Sequence, residues 1–152
     1  MADFTLTLVP KVEKELLLSL GTSSVVWTLF IDGASNLKES WLGIILKPPT
    51  GGTIRQSIKT SRLTNNEAKY EAMIAGLELA KGFGVEVIEA KCDSLLVVNQ
   101  VNKCFEVRED KMQRYLDKLQ ETLHRFKEWT LDHVPREQNS EADALANLGS
   151  SV

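Results

Sequence analysis

The sequence predicts an α/β domain: a five-stranded mixed sheet, three antiparallel strands then two parallel ones, with helices on both faces. Three features point there. Strand-length apolar runs close on aspartates, a strong turn signal separates the second run from the third, and the later strands alternate with helical spacing. The resulting order, β-β-β-α-β-α-α-β-α, is an antiparallel meander followed by crossover units.

Residues 1–24 show little periodicity and end in Gly21-Thr22-Ser23-Ser24, so they read as a linker or interdomain connection ahead of a domain at 25–152. Strands are expected at about 25–33, 41–47 and 52–59, with Pro48-Pro49-Thr50-Gly51-Gly52 turning the chain between the last two. The first run, Val25 to Ile31, is apolar on both alternating faces, which predicts a central strand covered on both sides. Asn65 to Lys81 is rich in Ala, Leu and Met and is stopped by Gly82 and Gly84; its Thr64-x-x-Glu67 opening is a capping-box pattern. A strand over Val85 to Cys92 closes on Asp93, and Ser94 caps a short helix, Leu95 to Asn102. An amphipathic helix over about Glu109 to Lys127 carries Met112, Tyr115, Leu116, Leu119, Leu123 and Phe126 at helical spacing. Trp129 to His133 forms a last strand, Pro135 to Asn139 a loop, and Ser140 onward a short terminal helix.

At 152 residues the chain is long enough for one domain with a proper core. Its 43% hydrophobic and 26% charged residues are those of an ordinary globular protein. No apolar run approaches the roughly 20 residues a membrane span needs. Leu16-Leu17-Leu18-Ser19-Leu20 is too short, and too acidic in its flanks, for a secretory segment. Cys92 and Cys104 have no metal-ligand spacing and suit a reduced intracellular chain, cytoplasmic or nuclear. The formal charge of −3 argues mildly against a protein that grips nucleic acid by net basicity. Residues 103–128 hide no basic arm, since seven basic side chains there meet six acidic ones. Any nucleic-acid affinity is expected to be modest and salt-sensitive.

Asp32 and Asp93 each end a strand, and Asp143 lies in the helical pattern Ser140-Glu141-Ala142-Asp143-Ala144-Leu145-Ala146. Carboxylates at the ends of neighbouring strands converge, which is how sites for hard divalent cations are built.

Four ordered motifs extend this. They are Asp32-Gly33-Ala34-Ser35-Asn36, the Thr64-to-Ala72 run TNNEAKYEA, the Cys92-to-Asn102 run CDSLLVVNQVN, and the His133-to-Ala146 run HVPREQNSEADALA. Together they resemble ribonuclease H type 1, most closely the domain that follows reverse transcriptase in plant Ty3/gypsy LTR retrotransposon polyproteins. Ala2-Asp3-Phe4 and the stretch after it resemble that family's connection to the upstream polymerase, so an upstream reverse transcriptase domain of the same polyprotein is an expected partner. The resemblance covers nearly the whole chain and implies hydrolysis of the RNA strand of an RNA/DNA hybrid. Two Mg²⁺ or Mn²⁺ ions, roughly 3.5–4 Å apart, would activate water and stabilise the leaving oxygen. Asp32 would bridge both ions with Asp93 and Asp143 to either side. His133, ten positions before Asp143, matches a histidine that helps proton transfer or product release. Gly33, Ala34, Ser35, Asn65 and Asn66 match groups that read the minor groove and the 2′-hydroxyls, and Arg62 and Thr64 match a seat for a DNA-strand phosphate. The asparagines also suit a helix entry, and a helix N-terminus suits phosphate, so both roles are compatible.

The sequence departs from the family at three places. Where the pattern has its second catalytic residue, a Glu, this chain has Lys69. Glu67 and Glu71 lie two residues away, about 200° around a helix, and cannot take its place. An ammonium at 69 either pairs with Asp32 and Asp93 as a tethered cation, repelling metal, or snorkels to solvent and leaves a weakened three-Asp site. Leu95 stands where the family often has a Gln touching the hybrid, and Glu39-Ser40-Trp41-Leu42-Gly43 replaces a small, Gly-rich run. Three readings remain: a hybrid-binding ribonuclease H with impaired cleavage, a non-catalytic module binding nucleic acid or a protein, and an active enzyme that tolerates Lys69.

Overall fold

The computed structural model describes residues 25–102 and 109–150. Its elements are β1 (Val26–Ser35), β2 (Glu39–Lys47), β3 (Ile54–Ser61), α1 (Asn65–Gly82), β4 (Val87–Cys92), α2 (Leu95–Val101), α3 (Asp110–Leu123), β5 (Glu128–His133), a 3₁₀ turn (Arg136–Asn139) and α4 (Ser140–Ser150). The five strands form one sheet in the order β3-β2-β1-β4-β5. The first three are antiparallel, and β4 and β5 add in parallel. The expected mixed sheet is therefore present, and β1 is its central strand.

Leu29 and Ile31 of β1 are fully buried, as are Ala68, Tyr70, Ala72, Met73, Leu77 and Ala80 of α1 above them. Each large side chain here contributes roughly 1.5–3 kcal/mol by leaving water. α1 begins as its sequence demands. The Thr64 hydroxyl accepts from the Glu67 N–H, while the Glu67 carboxylate accepts from the Thr64 N–H at 2.8 Å. Ser94 caps α2 in the same manner, accepting from the Val97 N–H.

Two glycines set how closely the helices sit. A side-chain carbon on Gly33 would come within 2.6 Å of Ala68 Cβ, so its absence lets α1 press onto β1. One on Gly43 would collide with the Ala142 carbonyl, so its absence seats α4 on β2. Gly43 is the register partner of Asp32, which puts the start of α4 over the end of β1.

Several boundaries differ from expectation. β1 runs on to Ser35 and β2 begins at Glu39, where the Asn36 N–H donates to the Glu39 carbonyl across the turn. β3 starts at Ile54, because Gly51 and Gly52 take φ of 100° and 86°, which no extended strand accommodates. β4 starts at Val87, because Gly84 (φ 79°) and the bond from the Val85 N–H to the Ala80 carbonyl finish the end of α1. α3 stops at Leu123, where Arg125 and Phe126 donate across three residues before Lys127 donates to the Glu86 carbonyl. The expected connection at 1–24, and Cys104 with it, fall outside the described residues. No described helix is long and apolar enough to cross a membrane.

Candidate functional site

Sheet register brings the first two aspartates together. Ile31 pairs with Cys92 across the parallel β1–β4 ladder, so Asp32 and Asp93, one residue further along each chain, lie side by side. Both are withdrawn from solvent, Asp32 at 3% exposure and the Asp93 side chain at 2%. α4, seated by Gly43, carries Asp143 close enough to Asp32 to raise its pKa. The Asn147 amide donates to the Asp143 carboxylate at 2.9 Å from one turn below.

Lys69 projects into this group from the second turn of α1. Its Nζ donates to Asp93 Oδ1 at 3.0 Å and stands 3.6 Å from Asp32 Oδ1. At 14% side-chain exposure it does not snorkel. Of the two conformations open to it on sequence grounds, the side chain takes the ion-paired one. Glu67 and Glu71 point elsewhere, as helix geometry requires: Glu67 closes the capping box and pairs with Lys111, and Glu71 accepts from the Tyr115 hydroxyl.

The electrostatics follow from this burial. Desolvation and the neighbouring Asp93 charge push Asp32 up to about 6, against the opposing pull of Lys69 and of the Gly33 N–H; the nearby Asp143 carboxyl raises it further. Burial pulls the Lys69 ammonium down, but the Asp93 hydrogen bond and both carboxylate charges outweigh it and hold its pKa above the ordinary value. Lys69 is thus a fixed ammonium and no nucleophile. Burial pushes the Cys92 thiol up to about 12, which leaves it an inert core group beside the site.

A pair of cations coupled to buried carboxylates does not fit the donor set present. Lys69 takes the space between Asp32 and Asp93, and among the described residues no three His, Cys, Asp or Glu side chains are arranged to hold one metal ion.

The remaining predicted positions surround this centre. Ser35 Oγ contacts Ser40 Oγ at 2.6 Å and donates to the Leu63 carbonyl, while Ser40 Oγ accepts from the Leu63 N–H. These bonds fix the segment that leads into α1. Arg62 Nε donates to the Asn36 carbonyl at 3.1 Å, and Asn36 itself accepts from the Lys38 and Glu39 N–H groups. Gly33 and Ala34 continue β1, Thr64 is the N-cap, Asn65 is exposed and Asn66 half-buried on the first turn of α1. His133 is exposed at the end of β5, opposite Cys92. Leu95 is 54% exposed at the start of α2.

Two residues escaped the sequence reading. Arg136 Nε lies 3.7 Å from Asp93 Oδ2, a buried oxygen with no hydrogen-bond partner, and its own side chain is 75% exposed. Asn139, 1% exposed, donates to the Ile31 carbonyl at 2.9 Å and so ties the 3₁₀ turn to β1 just before Asp32. Both belong to the His133-to-Ala146 motif, and polar side chains inside a motif that abuts an acidic site were the available signal.

A family model described as reverse transcriptase-like matches residues 30–149. Ribonuclease HI of Halobacterium salinarum is 39% identical over 121 residues, which is 78% of this chain and 61% of that protein, so the chain spans about three fifths of its relative. The crystal structure of RNase H1 from the same archaeon superposes with a TM-score of 0.79 at 35% identity, covering 83% of this chain and 98% of that one. LC11-RNase H1, solved in complex with an RNA/DNA hybrid, matches at 27% identity with a TM-score of 0.73, covering 80% and 94% of the two chains. The chain belongs to the ribonuclease H family, within the group described as reverse transcriptase-like.

Proposed function

We propose that this domain binds RNA/DNA hybrid as a retrotransposon-type ribonuclease H, and that hydrolysis of the RNA strand is impaired by Lys69. The observation that carries this reading is the Lys69 ion pair, 3.0 Å from Asp93 and 3.6 Å from Asp32. The family's position for a metal-binding carboxylate holds an ammonium instead, and a cation there repels the Mg²⁺ or Mn²⁺ that two-metal hydrolysis requires. In an unsubstituted site Asp32, Asp93 and Asp143 would hold the metals and His133 would assist proton transfer; here the aspartates are retained without forming a metal-holding cluster. Recognition rests on other parts. The backbone at Gly33, Ala34 and Ser35 and the Asn65 and Asn66 amides face the minor groove, and Arg62 and Thr64 hold a DNA-strand phosphate at the start of α1. The crystallised hybrid complex of LC11-RNase H1, on the same fold, supports that partner. The family model's description, and the sequence's likeness to plant Ty3/gypsy elements, support an origin beside an upstream reverse transcriptase, joined through residues 1–24.

The same ion pair favours a second reading, a module that holds nucleic acid or a protein on this fold and cuts nothing. Fluorescence anisotropy with labelled hybrid, duplex DNA and duplex RNA across a salt series, beside gel assays of RNA cleavage, tests both. Preference for hybrid with slow cleavage in Mg²⁺ or Mn²⁺ is the expected result. Hybrid preference without any cleavage moves the assignment to the second reading, and equal or absent binding to all three duplexes rejects hybrid recognition.

A further inference from the structure

Resting on the hybrid-binding reading, we infer that Lys69 is a resident cation that lets the domain hold hybrid without any divalent ion. A niche of buried carboxylates repels a phosphodiester backbone unless something positive is bound there. In this chain the positive groups are built in. Lys69 Nζ lies between Asp32 and Asp93, and Arg136 Nε approaches the other oxygen of Asp93 at 3.7 Å. Two side-chain cations thus stand among three carboxylates, where a glutamate at position 69 would add a fourth negative charge.

The placement of Lys69 owes nothing to solution ions. The capping box fixes the first turn of α1, and Ala68, the residue before Lys69, is pressed onto the bare backbone of Gly33. The ammonium is therefore held at the carboxylates by the core packing of the helix that carries it. Arg136 is mostly exposed, so its guanidinium, 3.7 Å from Asp93, remains open at the surface to pair with an anionic oxygen. Substituting a fixed ammonium for a dissociable metal changes the dependence of binding on conditions: hybrid affinity becomes indifferent to Mg²⁺ and to chelator, while remaining sensitive to monovalent salt.

The test uses the full chain, Lys69→Glu and Lys69→Gln, each checked for folding by circular dichroism. Hybrid affinity is measured in EDTA and in Mg²⁺, and Mn²⁺ binding by titration calorimetry without nucleic acid. The wild type is expected to bind hybrid equally in both buffers and to take up Mn²⁺ weakly. Lys69→Glu is expected to bind hybrid about tenfold more weakly in EDTA, to recover in Mg²⁺, and to gain Mn²⁺ affinity; Lys69→Gln falls between. A wild-type affinity that rises several-fold from EDTA to Mg²⁺, or wild-type Mn²⁺ binding as tight as that of Lys69→Glu, overturns the inference. Should no protein bind hybrid in either buffer, the hybrid reading fails, while the Mn²⁺ titration still decides whether Lys69 takes the cation's place.

Discussion

The segment around Thr64, at the N-cap of α1, and the acidic site that Lys69 enters from the next turn of the same helix are held by different means. Around Thr64 the fixing bonds run to backbone groups, Ser40 to Leu63, Arg62 to Asn36 and Thr64 to Glu67, with the buried Glu67 carboxylate closing the capping box and pairing with Lys111. At the acidic site Lys69, Asp32 and Asp93 are charged and withdrawn from solvent and are fixed by one another, Lys69 to Asp93 and Asp32, with the exposed Arg136 approaching Asp93 from the surface. The Thr64 segment rests mainly on backbone bonds, and the Lys111 ammonium and the Thr64 N–H hold its one buried carboxylate, Glu67, below the ordinary range, so it stays charged at neutral pH. The acidic site's geometry depends on charge balance, and one residue has rewritten that balance. On the proposed reading, recognition and cleavage are separable in this fold, and Lys69 lies on the border between them.

Breaking the charged half should have the largest effect. Lys69→Met leaves Asp32 and Asp93 buried without their cation and should cost about 3–5 kcal/mol at pH 7 in urea unfolding. The deficit should shrink at pH 4, where protonation relieves the uncompensated carboxylates. A cost under about 1 kcal/mol at pH 7 would mean the pair is a surface-like contact.

The pH dependence of the wild type sharpens the contrast. Asp32 is pushed up to about 6 from 3.8, so the folded protein holds this proton more tightly than the unfolded chain does. Its contribution is fully present below about 3.8 and is lost as pH rises through about 6, a swing of about 3 kcal/mol at most. Asp32→Asn should remove that slope between pH 4 and 7. If its stability curve runs parallel to that of the wild type over that window, the assigned titration is wrong.

The Thr64 segment should respond less. Thr64→Ala deletes one half of the capping box and should cost about 1 kcal/mol, equally at pH 5.5 and pH 8. A pH-dependent loss there would erase the distinction between the two regions.

How much of this was readable in advance tracks the same division. The mixed sheet of three antiparallel and two parallel strands, the caps at Thr64 and Ser94 and the central position of β1 were legible, because each rests on local residues, on an apolar run or on the alternation of strands with helices. The strand ends moved where Gly51, Gly52 and Gly84 adopt positive φ, a choice made by the turn and not by composition. Asp32, Asp93 and Lys69 were identifiable as neighbours, but paired and snorkelled lysines share one sequence. Only the reach of Nζ to 3.0 Å from Asp93 separates them. Arg136 and Asn139 were missed because their partners, Asp93 and the Ile31 carbonyl, come from distant strands.

Cleavage of a labelled RNA/DNA hybrid by the wild type and by Lys69→Glu, side by side in Mg²⁺ and in Mn²⁺, tests the central claim most directly. Slow or absent cleavage by the wild type and restored cleavage by the glutamate variant is the predicted result. Equal cleavage by the two proteins would contradict the assignment of Lys69 as the residue that divides recognition from turnover.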